Sequence, residues 1–263
     1  MKFGIIGCGG IADRRTIPGM LKSKMVTITA VEDVSEELAQ NVAKKYSIGS
    51  SYTNDDDLIR NDDVEAVYIG TPVWVHGEQI QKAADAGKHI LCEKPLAISI
   101  KEMEKLIDYC EERNVVLQVG FMMRYHGYHI KAKEMVDSKA IGNPVMGRGQ
   151  LTCWYPPMEN AWRQDPAKGG GGALMDMAIH TVDILRYLLG ESRQSPPSTV
   201  PKPTAMPLKI RASYFSGFRM VLTGCVIHFS TSLMRRQKVC SRCMAPGGAS
   251  WPKVRSLRLQ AVP

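Results

Sequence analysis

Residues 2–12 read Lys2-Phe3-Gly4-Ile5-Ile6-Gly7-Cys8-Gly9-Gly10-Ile11-Ala12, an apolar run followed by a glycine-rich turn and the start of a helical pattern. Each small residue has a physical use. Gly7 permits a tight strand-to-helix turn, Gly9 lets the backbone approach a pyrophosphate, and Ala12 is small enough for the following helix to pack closely. Gly10 and Ile11 complete the turn, and the helix N-terminus behind it offers N–H groups and a favourable dipole to phosphate oxygens. Asp33 closes a second apolar run about twenty residues later, where an acidic side chain bonds the ribose of a dinucleotide. Three small residues near a turn are common, and it is their setting between a strand and a helix that points to a nucleotide.

Working outward, short apolar runs alternate with amphipathic segments as far as residue 120, the mark of a parallel sheet wound with helices. Strands are expected at 2–6, 26–31, 66–69, 89–92 and 115–119. Ile100, Met103, Leu106, Ile107 and Cys110 recur at helical spacing between the last two. Asp55-Asp56-Asp57 reads as a helix start, favourable at the positive end of the dipole. Beyond Gly120 the sequence predicts a helix over 125–137, a turn at Ile141-Gly142-Asn143-Pro144, a strand over 145–155, and an apolar helix over 173–189 fed by Gly169-Gly170-Gly171-Gly172. The fold class is therefore α/β: a doubly wound nucleotide-binding domain over 1–120, the start of an α+β second domain with an open sheet over 121–191, and an atypical tail over 192–263.

The tail stands apart by charge. Residues 192–263 carry 12 Lys and Arg and no Asp or Glu, whereas residues 1–191 carry 22 basic and 26 acidic residues. The net charge of +8 thus belongs entirely to the tail and is no sign of a nucleic-acid-binding domain. The tail also holds Ser195-Pro196-Pro197, Pro201, Pro203 and Pro207, and one strand is expected in it, over 220–229. No apolar stretch reaches membrane-spanning length and no leader precedes the first strand, so a cytoplasmic protein is expected. Seven cysteines do not suit an oxidised scaffold, and Cys8, Cys92, Cys110 and Cys153 lie in apolar contexts.

Three groups of residues could carry chemistry. Glu93-Lys94-Pro95 follows the strand at 89–92, at the carboxyl edge where ligands bind in this architecture. A lysine there can stabilise negative charge on a substrate oxygen, although a surface lysine in a turn is the ordinary alternative. Thr71-Pro72 follows the strand at 66–69, and His76 either faces the cofactor or caps the next helix. Asp176 and His180 stand four apart on one helical face, with Asp183 beyond; the carboxylate would hold the imidazole in one tautomer while the imidazole takes a hydroxyl proton. No three metal ligands assemble locally, so no metal is expected. Cys225-x-x-His228 with Cys240-x-x-Cys243 reads as coincidence in so unusual a segment.

In this order, Gly7-Cys8-Gly9-Gly10-Ile11-Ala12, Thr71-Pro72, Gly87-Lys88-His89 leading to Glu93-Lys94-Pro95, and Asp176 with His180 resemble the glucose–fructose oxidoreductase, inositol dehydrogenase and rhizopine-catabolism family, Gfo/Idh/MocA. The resemblance covers residues 1–190. It implies a second domain built on a large open sheet, an active site between the two domains, and reversible oxidation of a secondary alcohol on a sugar or cyclitol. Lys94, Asp176 and His180 would be its catalytic residues. Gly7, Gly9, Gly10, Ile11, Ala12, Asp33, Thr71, Pro72, His76, Glu93 and Lys94 would surround the cofactor, and Trp162-Arg163 matches a further family pattern beside cofactor or substrate. No arginine closely follows Asp33 to receive a 2′-phosphate, so NAD is favoured over NADP.

Partners are then a small sugar or cyclitol, with no nucleic acid and no membrane. The resemblance implies a homo-oligomer, with the second-domain sheet often forming the subunit interface, but the tail would replace much of that sheet and puts the oligomer in doubt here. A reading frame misjoined between residues 191 and 197 is expected, leaving apolar surface exposed on the strand at 145–155. The alternative is a nucleotide-binding protein without turnover.

Overall fold

The computed structural model describes residues 1–154, 161–169, 172, 174–190, 222–230 and 255–261. They fall into two units, Met1–Phe121 with Trp162–Gly170, and Met122–Ala161 with Gly171–Pro263.

The first unit carries a parallel sheet of six strands: β1 Lys2–Ile6, β2 Thr27–Glu32, β3 Ser50–Tyr52, β4 Ala66–Ile69, β5 His89–Cys92 and β6 Leu117–Val119. Their order is β3-β2-β1-β4-β5-β6, so the connections reverse direction between β1 and β4 and open a crevice at the carboxyl ends of those two strands. Strands covered on both faces need continuous apolar sequence. β4 is Ala-Val-Tyr-Ile with every residue buried, and β1 is buried from Phe3 onward. β3 is polar and lies at the sheet edge, and for that reason no apolar run betrays it in the sequence.

The helices are α1 Ile17–Met20, α2 Glu36–Tyr46, α3 Asp55–Ile59, α4 Val73–Asp85 and α5 Ile100–Glu112. Ser35, Asn54 and Ser99 cap α2, α3 and α5, each accepting the N–H of the third helical residue. The three aspartates do open α3, and Lys82 of α4 pairs with Asp55 at 3.0 Å and Asp56 at 3.3 Å. Two apolar clusters sandwich the sheet, one centred on Ile6, Ile69, Ile80 and Leu106, the other on Ile5, Val31, Val42 and Tyr68.

The second unit begins with a 3₁₀ turn at Met122–Tyr125 and continues as α6 Gly127–Asp137 and β7 Pro144–Trp154. The helix expected over 125–137 starts late because His126 caps it, its ring accepting the Tyr128 N–H at 3.3 Å. A short helix α7 Pro166–Gly169 belongs to the first unit, and α8 Ile179–Leu189 to the second. The tail contributes β8 Leu222–Ser230 and β9 Arg255–Ala261, which pair antiparallel with β7 on its two sides. Both edges of β7 are thus hydrogen-bonded, and α8 packs on one of its faces.

That packing requires glycine. A Cβ at Gly147 would stand 2.5 Å from Leu189 Cδ1, and one at Gly149 would collide with Thr181 Cγ2. Met123, Ile184 and Leu188 form the small core behind them. Among the described residues no helix is long and apolar enough to cross a membrane, and no His, Cys, Asp and Glu cluster could hold a metal ion. Cys8, Cys92 and Cys110 are buried free thiols, whereas the Cys153 side chain, Cys240 and Cys243 lie outside the described residues.

Candidate active site

The glycine turn closes over the end of β2. The N–H groups of Gly7 and Cys8 donate to the Glu32 carbonyl at 3.1 and 2.9 Å, and Gly7 adopts φ 74°. A Cβ there would lie 2.7 Å from Thr71 Cγ2 and 3.0 Å from Thr71 N, so only glycine fits between the turn and the β4 loop. At Gly9 a Cβ would stand 2.8 Å from Leu38 Cδ2 and 3.4 Å from Asp33 Oδ2. The missing side chain leaves bare backbone that a phosphate can approach, beside a half-buried carboxylate able to accept from ribose hydroxyls. Gly10 faces open space, Ile11 is half-buried, and Ala12 is fully buried where the helix packs. The residues present thus fit a dinucleotide, and the turn brings Gly7, Gly9, Gly10, Ile11, Ala12, Asp33 and Thr71 together.

Glu32 escaped the sequence reading. Its backbone anchors the turn, and its buried carboxylate accepts the Gly7 N–H at 3.1 Å. Desolvation, reinforced by Asp33 and Asp55, pushes its acid up to about 7. The same crowding and burial push the Cys8 thiol up to about 12, which keeps it unreactive beside the turn.

The loops after β4 and β5 meet through His76. Its Nε2 lies 2.9 Å from the Thr71 carbonyl, and its Nδ1 lies 3.1 and 3.3 Å from the carbonyls of Pro95 and Leu96. Both ring nitrogens therefore face backbone carbonyls, and the neutral ring donates from one of them. Pro72, not His76, occupies the N-cap of α4. His76 is corrected from cap or cofactor contact to brace, and burial holds its pKa below the ordinary histidine value. Thr71 Oγ1 donates to Gln79 Oε1 at 2.6 Å, fixing the turn at Thr71-Pro72. Lys94 is half-buried just past β5, with its N–H donating to Glu93 Oε2 at 3.3 Å and a cis peptide bond to Pro95.

Trp162 and Arg163 lie in a 3₁₀ turn, Trp162–Gln164, that returns to the first unit. The Trp162 ring meets Trp74 edge-on at 5.4 Å, Arg163 stands 4.1 Å over Trp162, and Lys168 stands 5.6 Å over Trp74. Trp74 is the second residue of α4, two positions after Pro72, so this aromatic and cationic group sits at the start of α4, on the edge that also carries Lys94. Sequence alone gave no sign of this return, which depends on a contact across more than eighty residues of chain.

In the second unit, Asp176 lies in a π-helical turn, Leu174–Ala178, and His180 is the second residue of α8. Asp176 is half-buried and His180 buried. A second π-helical turn, Ala12–Thr16, directly follows the glycine turn. Such turns are rare and recur at functional sites. Asp183 has a different task. Its carboxylate takes both Nε and Nη2 of Arg124, at 2.9 and 2.6 Å, which ties α8 to the 3₁₀ turn at Met122–Tyr125.

Comparison with known proteins agrees with this geometry. Residues 1–121 match the GFO/IDH/MocA oxidoreductase family, NAD-binding Rossmann fold, and residues 129–200 match the GFO/IDH/MocA C-terminal domain. The chain is 31% identical over 190 residues to 1,5-anhydro-D-fructose reductase of Ensifer adhaerens, covering 72% of this chain and 57% of that protein. It is 35% identical over 190 residues to D-xylose 1-dehydrogenase (NADP(+)) 2 of Haloferax volcanii, covering 72% and 58%. Scyllo-inositol dehydrogenase from Lactobacillus casei, solved with NAD(H) and scyllo-inositol, superposes with a TM-score of 0.62 at 27% identity, covering 73% of this chain and 57% of that one. The chain thus spans less than two thirds of the length of these relatives.

Proposed function

The chain belongs to the GFO/IDH/MocA family of oxidoreductases, and from that premise we propose that it oxidises a secondary alcohol of a sugar or cyclitol reversibly, with NAD as cofactor. One arrangement carries the reading: the glycine cradle, the Asp33 carboxylate and the Lys94 loop lie along the carboxyl edge of one parallel sheet. When bound, the nicotinamide supplies the hydride acceptor. The chain's own residues do the rest. Gly7, Gly9, Gly10, Ile11 and Ala12 seat the pyrophosphate, and Thr71, Pro72 and Glu93 shape the edge beside it. Asp33 bonds the ribose hydroxyls and would repel a 2′-phosphate, which favours NAD over NADP. Lys94 polarises the substrate oxygen. His180 accepts the hydroxyl proton, and Asp176 orients the imidazole and stabilises its charge. Trp162 and Arg163 border the cofactor or substrate.

Titration with NADH, followed by a panel of sugars and polyols with NAD, tests the reading. Binding together with NAD reduction supports it, whereas binding with no turnover on any polyol supports the nucleotide-binding alternative. Lys94→Ala should lower turnover at least about a hundredfold and leave NADH affinity nearly unchanged. Loss of NADH binding in that variant would make Lys94 a structural residue.

A further inference from the structure

Tyr68 has no role in the reaction proposed above, yet its phenol is buried and fully engaged at the candidate site. It is 2% exposed, its hydroxyl donates to Glu93 Oε1 at 2.9 Å, and its oxygen accepts from Thr16 Oγ1 at 3.1 Å. Glu93 accepts on both oxygens, since Oε2 takes the Lys94 N–H. The single phenolic proton therefore goes to Glu93, and Thr16 must supply the other bond. Thr16 closes the π-helical turn behind the glycine cradle. The room for this ring is made by Gly70, where a Cβ would stand 2.8 Å from Tyr68 Cε1.

We propose that Thr16, Tyr68 and Glu93 form a tie between the glycine turn and the Lys94 loop, making Tyr68 a positioning residue for the nicotinamide half of a bound dinucleotide. The inference rests on the dinucleotide reading above. With the pyrophosphate at the β1 turn and the adenosine ribose at Asp33 just past β2, the other half of the cofactor extends over the ends of β4 and β5. The loop after β5 is held from two sides, Glu93 by Tyr68, and Pro95 and Leu96 by His76. Lys94 lies between those two anchors. Releasing one of them moves the edge that meets the nicotinamide and leaves the adenosine side, just past β2, untouched.

The experiment measures the affinity of NADH and of ADP-ribose, which lacks the nicotinamide, for the wild-type chain, Tyr68→Phe, Thr16→Val and the double variant. Tyr68→Phe should weaken NADH about tenfold, the loss of one hydrogen bond to a carboxylate, and change ADP-ribose less than about twofold. Thr16→Val should act in the same direction by about threefold, and the double variant should be no weaker than Tyr68→Phe alone, because Thr16 acts only through the phenol. If Tyr68→Phe does not fold, the contrast between NADH and ADP-ribose is read from Thr16→Val. Equal loss of both ligands, no loss of either, or full additivity in the double variant would overturn the tie. A wild-type chain that binds neither ligand would instead sink the dinucleotide reading itself.

Discussion

At the end of β2, Glu32 places a carboxyl group in the core with the Gly7 N–H as its side-chain partner at 3.1 Å. One hydrogen bond does not replace the lost water, and Asp33 and Asp55 add repulsion, so its acid rises from 4.5 to about 7. The sign of the consequence follows from proton counting. Between pH 4.5 and about 7 the folded chain keeps a proton that the unfolded chain has released, so this group's contribution to stability falls as the pH rises through that window and levels off above it. Glu32→Gln keeps an acceptor for Gly7 and removes the charge. Unfolding in urea at several pH values should show the variant more stable than wild type above pH 7.5 by on the order of 3 kcal/mol, with the gap closing towards pH 4.5. A gap that does not change with pH would mean that Glu32 is ionised in the fold. His76, held below its ordinary 6.5 by burial, works the other way and loses stability as the pH falls below 6.5. It is present in both proteins and cancels in the comparison.

The pairing of β7 with α8 decides whether the second unit has a core, and it turns on two glycines one residue apart. Gly149→Ala drives a methyl into Thr181 Cγ2 and should cost about 2 kcal/mol, the usual penalty of overpacking. Adding Thr181→Ser removes the opposing methyl and should recover about half of that loss, a non-additivity that urea unfolding of the four proteins would reveal. Additive losses would place the strain elsewhere. A second prediction concerns the ion pair that holds α8 to the 3₁₀ turn. Asp183→Asn removes the charge from the carboxylate that Arg124 grips and should cost about 2 kcal/mol, tempered by the exposure of the arginine; no change in the urea midpoint would make the pair a surface decoration. Elements of this kind differ in how far they can be read from sequence. β1 and β4 coincide with their apolar runs because strands buried on both faces leave no polar alternation to blur the ends. β9, the π-helical turns and the close approach at Gly147 and Gly149 were not legible, since each depends on what lies across from it in space.

Across the whole molecule the candidate site divides in the same way. The positions of the glycine turn, Asp33 and Lys94 were legible because they depend on backbone shape and on place at the ends of strands, both of which spacing encodes. His76 as a brace and Tyr68 as a tie were not, because their partners lie 19 and 25 residues further along the chain. The tail is the larger departure. Its 72 positions contain no Asp or Glu, where ordinary usage would supply roughly nine, and the chain spans 57% of the length of the first relative it matches. We propose that one of the other two reading frames beyond codon 191 encodes continuing strands with acidic residues among them; if neither does, the tail is a genuine extension. The proteins themselves supply a second test. Every residue assigned to hold the dinucleotide lies in the first unit, so a chain with the frame restored should bind NADH within about threefold of this one. The substrate wall would come from the replaced sheet, and turnover on the best polyol should rise at least about a hundredfold in the restored chain, the scale on which substrate positioning acts. Equal turnover in the two proteins would show that β8 and β9 already build the wall that the reaction needs.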